Sequence, residues 1–228
     1  AEAAIQKKDP SFSIRKLDYD DAATYKMLGQ GETEGVFQLE SSGMKQVLVG
    51  LQPQNLEDVI ALISLYRPGP MDSIPTYLRN RHEPDKISYK TPQLAHILDV
   101  TNGCIVYQEQ VMQIFRELAG FSFGQADNVR RAMSKKKHAV MEAEREHFVH
   151  GCTEPGHECP GCVANGISEK VANEIYDEMS SFASYAFNKS HAACYAYVAF
   201  QTAYLKCHYP SEFMAALLTS CLLYTSDA

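Results

Sequence analysis

Ser184–Tyr209, SYAFNKSHAACYAYVAFQTAYLKCHY, is the stretch whose reading decides the fold. An aromatic run leads into Asn188, Lys189, Ser190 and His191, and a long Ala- and Tyr-rich segment with helical character follows. An Asn or Ser at the start of such a helix caps it, and the first N–H groups carry partial positive charge that favours an anion. Lys189 and His191 beside that terminus fit a triphosphate or a phosphate backbone. Tyr195 follows His191 at i+4, on the same face. The three side chains then suit phosphate at one end and sugar or base at the other. The same residues also suit an ordinary capped core helix with a solvated lysine.

Working outward from this stretch, the rest of the chain reads as further helices. LDYDDAATYKML is a short helix capped by Asp20 or Asp21. Asp18 and Asp20 have the D-x-D spacing of two-metal sites, but a helix follows at once without the alternation of a strand, which favours capping. VFQLE (36–40) reads as partly extended, with a helix starting near Ser41 or Ser42. Asn55 with Asp58 three residues on resembles a capping box, and Val59, Ile60, Leu62 and Ile63 keep helical spacing up to RPGP. Pro68 biases Arg67 away from the helical region, which puts Arg67 at a rigid corner or at an ordinary surface turn. Val111, Ile114, Phe115 and Leu118 form an apolar stripe behind Tyr107, Gln108, Glu109 and Gln110, which read as caps. Ser122 and Gln125 open the next helix, which breaks near Lys137. Ser168 opens another, and SEFMAALLTSCL is the last. The architecture is mainly α.

Two local clusters carry possible chemistry. Arg130, Arg131, Lys135, Lys136 and Lys137 place five cations in eight positions. Like charges at i, i+4 repel by a few tenths of a kcal/mol, a cost that phosphates would relieve. A solvated basic face is the other reading. Cys152, His157, Cys159 and Cys162 hold a C-x-x-C knuckle with enough potential ligands for one structural zinc ion. Their C-x6-C-x2-C spacing is not a standard two-knuckle pattern, and a reduced exposed loop is the alternative.

Composition bounds the rest. At 228 residues the chain can bury about 70 % of its unfolded surface. Hydrophobic residues make up 45 % and charged residues 21 %, ordinary for a globular protein. A net charge of −7 excludes a generally basic coat and leaves nucleic-acid contact to local patches. No apolar run approaches the roughly 18 residues of a membrane span. Seven irregularly spaced cysteines and the lack of an apolar leader fit a reducing, cytoplasmic setting.

VFQLESSGMK (36–45), LEDVIALISLYRPGP (56–70), YQEQVMQI (107–114), RRAMSKKK (130–137), FASYAFNKSHAACYAYVAFQTAYLK (182–206) and HYPSEFMAALL (208–218) occur in one order along the chain. In these motifs the chain resembles the C-family replicative polymerases, the catalytic α subunits of bacterial DNA polymerase III. The resemblance runs from about Leu17 to Leu222. It implies a multi-helix fingers region over residues 1–221, with 150–163 as a Cys-containing insertion loop and 222–228 as a tail outside the family pattern. It also implies template-directed nucleotidyl transfer with dNTP, primer–template DNA and Mg2+. Arg130, Arg131, Lys135, Lys189 and His191 would then meet the triphosphate, Tyr195 the sugar or base, and Arg67 the same pocket. The three aspartates that hold Mg2+ belong to a palm upstream, so this stretch alone is expected to be inactive. The sliding clamp and the proofreading exonuclease would be reached through other parts of the subunit. Zn2+ at the cysteine cluster is not inherited from the family. The competing readings are a non-catalytic helical module that binds nucleic acid or protein, and a small zinc-dependent structural domain.

Overall fold

The computed structural model describes residues 1–135, 138–183 and 186–225. Its longer helices are α1 (Ala22–Gly29), α2 (Ser42–Leu51), α3 (Leu56–Leu65), α4 (Ile74–His82), α5 (Gln108–Ala119), α6 (Phe123–Ser134), α7 (His138–His150), α8 (Glu169–Ala183), α9 (Lys189–His208) and α10 (Pro210–Thr225). The chain is mainly α, as its periodicity predicts. It divides into two compact units, Ala1–Ile63 with Ser190–Ala228, and Ser64–Lys189.

Helix starts follow the capping chemistry legible in the sequence. Asp21 caps α1, accepting from the Thr24 N–H at 2.8 Å and its hydroxyl at 2.6 Å. Ser41 caps α2 through the Met44 N–H. Asn55 accepts from the Asp58 N–H, while Asp58 accepts from the Gln54 N–H. Ser122 and Gln125 exchange hydrogen bonds as a reciprocal box. Asp18 accepts from the Asp20 N–H in a local turn, so this pair is turn chemistry. VFQLE departs from the extended reading. It is a run of turns with Gln38 in the left-handed region, which buries Val36 and Leu39 together.

In the first unit, α9 buries Ala192, Ala196, Ala199, Phe200 and Ala203 along one face. Small residues there bring neighbouring rings close. Phe200 packs on Tyr19 and Tyr25 at centroid distances of 5.2 and 5.1 Å. His208, near the end of α9, sits 2.9 Å from the Asp21 carboxylate.

In the second unit, the α5 stripe of Val111, Ile114, Phe115 and Leu118 is fully buried. Phe115 is its centre, with Phe121, Phe148 and Tyr176 rings 5.2, 5.0 and 6.0 Å away. Burying such a ring stabilises by about 2–3 kcal/mol. Gln110 is buried beside it yet satisfied. Its carbonyl accepts from the Val106 and Tyr107 N–H groups, and its amide donates to the Ile97 carbonyl and the Thr101 hydroxyl. The loop between α7 and α8 folds back as a narrow turn in which Cys152 and Cys159 exchange backbone hydrogen bonds, both 2.9 Å. Its two ends meet backbone to backbone. Gly161 has a φ of 77°, and a Cβ there would stand 2.3 Å from the Gly151 nitrogen.

Two stability predictions follow from these contacts. Gly161→Ala should destabilise the second unit by about 2 kcal/mol or more, since it adds both left-handed strain and a backbone clash; urea denaturation would measure it. Burial pushes the Asp21 carboxyl up, but hydrogen bonds from Thr24 and His208 outweigh this and hold it below the usual range. Its folded pKa is therefore depressed, so its stabilisation is present above the unfolded value and lost as pH falls through the folded one. Asp21→Ala should cost about 1 kcal/mol at neutral pH. That gap should begin to narrow as pH falls below about 4, near the unfolded aspartate pKa, and close once pH passes the lower folded value, in unfolding curves recorded across pH.

Candidate functional site

The functional geometry of the second unit centres on two short segments, 106–109 and 186–189, far apart in sequence and clipped side by side. Tyr107 and Phe187 form a parallel bridge. The Gln108 N–H donates to the Phe187 carbonyl at 3.0 Å, and the Phe187 N–H donates to the Val106 carbonyl at 3.3 Å. Side chains complete the join. The Gln108 amide donates to the Ala186 carbonyl at 3.0 Å, and the Asn188 amide donates to Glu109 at 3.1 Å. Both Glu109 oxygens accept from the Lys189 backbone N–H at 3.1 Å.

Cations from three separate motifs attach to this clip. Arg130 of α6 donates from Nη1 to the Gln108 side-chain oxygen Oε1 at 2.9 Å. Arg67 is half-buried and lies over the Phe187 ring, 4.0 Å from its centroid, with Nε donating to the Ser64 carbonyl at 3.3 Å. Desolvation by that burial lowers its pKa, and the guanidinium remains charged at neutral pH. Lys189 holds its ammonium over the Tyr107 ring at 5.3 Å. Such cation–π contacts leave charge in place while fixing its position. A cleft of about 570 Å³ opens beside the clip, lined by Gln108, Glu109, Asn188, Arg130 and Asp127 together with the side chains of α5 that face it.

Several sequence expectations change here. The α9 N-terminus already has an anion, the Glu109 carboxylate, in the position that the sequence reading gave to phosphate. The basic run is also partly neutralised from within. Asp127, one turn before it, bonds Arg130 at 2.8 Å and Arg131 at 2.7 Å, and the Arg130 guanidinium leads the interactions that lower the Asp127 pKa. Phosphate is therefore not required to explain why these arginines are tolerated together. Arg67 is not the surface turn residue that local sequence favours. Arg131 and Lys135 are exposed, and Lys136 and Lys137 lie outside the described residues, as do Ser184 and Tyr185.

His191 and Tyr195 belong to the first unit. Their rings pack at a tilt, 4.5 Å apart and 58° between planes, on the shared face that the i+4 spacing predicts, and Tyr195 leans on Phe37 at 5.5 Å. Sequence reasoning missed Gln108 and Glu109 as functional groups and assigned them to capping. Asp127 was missed too, although its i+3 and i+4 spacing to the two arginines was a local signal.

The cysteine cluster does not assemble the expected zinc site. His157 lies exposed in the loop, Cys162 is fully buried, and the Cys159 thiol faces the His147 carbonyl at 3.6 Å. Among the described residues no group of three or more His, Cys, Asp or Glu side chains is placed to hold one metal ion. Burial pushes the Cys162 thiol up to about 12 and raises Cys159 as well. Zinc binds thiolates, so this burial adds to the cost of forming the ligands.

Residues 1–156 match the family model of the bacterial DNA polymerase III alpha subunit finger domain. The chain is 49 % identical over 219 residues to the DNA polymerase III subunit alpha of Thermus aquaticus, covering 94 % of this chain and 17 % of that protein. It is 45 % identical over 216 residues to the DNA polymerase III subunit alpha of Staphylococcus aureus (strain Mu50 / ATCC 700699), covering 94 % of this chain and 19 % of that protein. The chain thus spans less than a fifth of the length of these relatives. Among the described residues no helix is long and apolar enough to cross a membrane.

The cysteine loop yields a direct test. Elemental analysis of purified protein should find no stoichiometric zinc, and EDTA should leave the unfolding midpoint where it was. One equivalent of zinc together with chelator-induced unfolding would overturn this reading.

Proposed function

As the chain belongs to the family of bacterial DNA polymerase III alpha subunit finger domains, we propose that it binds the triphosphate of an incoming dNTP and the backbone of primer–template DNA during replicative synthesis. Residues 1–221 constitute the fingers region in this reading, with 150–163 as an insertion and 222–228 as a tail outside the family pattern. Residues 226–228 lie outside the described part. One observation carries the proposal: Arg67, Arg130 and Lys189, drawn from three sequence motifs, are all fixed to a single two-segment clip beside a cleft.

The chemistry suits a polyanion. Guanidinium groups bind phosphate oxygens through paired, charge-assisted hydrogen bonds. Arg130 and Arg131 share the Asp127 carboxylate, which holds the two guanidiniums side by side. Arg131 and Lys135, on the exposed side of α6 and just past its end, extend that charge toward solvent. Glu109 accepts from the first N–H of α9, that of Lys189, and in this reading the phosphates go to the side-chain cations. His191 and Tyr195 keep the roles the resemblance gives them, His191 toward the triphosphate and Tyr195 toward sugar or base. Nucleotidyl transfer itself would use Mg2+ on palm aspartates outside residues 1–228. The sliding clamp and proofreading exonuclease would meet other parts of the subunit, in the cytoplasm.

Arg130→Ala in the full-length α subunit should raise the apparent KM for dNTP about tenfold or more, the loss of one charged hydrogen-bonding group. Steady-state primer extension measures it. An unchanged KM, with DNA binding that depends on salt and is indifferent to dNTP, would favour a non-catalytic nucleic-acid-binding module instead.

A further inference from the structure

We infer that Gln108 is a positioning residue for nucleotide binding, acting through Arg130. The inference rests on the reading that Arg130 meets the triphosphate. Gln108 is the first residue of α5, and its side chain spans two partners. Its carbonyl oxygen accepts from Arg130 Nη1 at 2.9 Å, and its amide nitrogen donates to the Ala186 carbonyl at 3.0 Å. Its own backbone N–H is committed to the Phe187 carbonyl. The amide orientation follows from chemistry, since a guanidinium only donates and a backbone carbonyl only accepts.

Only a side chain with an acceptor and a donor on one planar group satisfies both partners. A glutamate would turn a second acceptor toward the Ala186 carbonyl. A lysine or arginine would face Arg130 with like charge. A hydrophobe of equal length would leave both partners without that bond. Arg130 has a second anchor, Asp127, which accepts from its Nε and Nη2 at 2.9 and 2.8 Å. Asp127 lies on the same helix and alone fixes the guanidinium only relative to α6. Gln108 fixes it relative to the segment that leads into Lys189. Gln108 therefore sets the spacing between the two cations that the proposed function assigns to one triphosphate, a pairing between residues more than 50 positions apart in sequence.

The test is a double-mutant cycle in the full-length α subunit, with primer extension giving KM for dNTP and kcat. Gln108→Ala should raise KM about tenfold with a smaller change in kcat, the loss of a hydrogen bond to a charged group. Gln108→Met, which keeps length and packing, should do the same and decides the matter if the alanine variant lowers the unfolding midpoint. Combined with Arg130→Ala, either change should add no more than about twofold, because coupled residues are non-additive. Additive effects, or a Gln108→Met enzyme with wild-type KM while Arg130→Ala raises it, would overturn the inference and leave the proposed function standing. A wild-type KM for Arg130→Ala alone would sink both.

Discussion

The parallel bridge between Tyr107 and Phe187 is the constraint on which the second unit's candidate site depends. Two backbone hydrogen bonds place segment 186–189 against the start of α5, and Arg67, Lys189 and Arg130 are then located by what that pairing brings near. Phe187 offers its face to Arg67, Tyr107 offers its face to Lys189, and Gln108 reaches Arg130. None of these contacts is strong by itself. A cation over an aromatic ring is worth about 0.5–2 kcal/mol depending on desolvation, and a neutral acceptor to a guanidinium is of similar size. Their common origin in one pairing makes the set a unit of structure.

Local chemistry was legible in the sequence, and long-range chemistry was not. The Asp21, Ser41, Asn55 and Ser122 caps each involve partners within four residues, so spacing alone identifies them. The α5 stripe was legible for the same reason, since helical period is a property of adjacent turns. Glu109 at the start of α9 is different. It lies 80 residues from Lys189, and nothing near it hints that its carboxylate caps a distant helix. The basic run shows a subtler loss. The count of cations begins at Arg130, three residues past the Asp127 that partners them, so a window placed on charge alone drops the counter-charge. VFQLE carries β-favouring residues, yet the burial of Val36 and Leu39 on one side of a turn overrides that propensity.

The cysteine loop illustrates how residue type can mislead when spacing is set by something else. C-x-x-C (159–162) lies at the closing end of a turn whose ends are joined by the Gly151 and Gly161 backbones and by reciprocal hydrogen bonds between Cys152 and Cys159. The cysteines serve as small apolar side chains, with Cys162 packed among the buried residues of the second unit, which is the usual fate of a neutral buried thiol. A loop that closes through its own main chain has no need of an ion to hold its ends together.

Asp127 has one more consequence. A carboxylate with a single cationic partner loses its ion pair when that partner is drawn away, and only water replaces it at a site open to solvent. With two guanidiniums attached, Asp127 can release either one and remain satisfied by the other. Arg131, the more exposed of the two, can turn to an anion in solvent while Asp127 keeps Arg130 as its ion-pair partner. The pair behaves as a ball held between two hands, where one hand is always available.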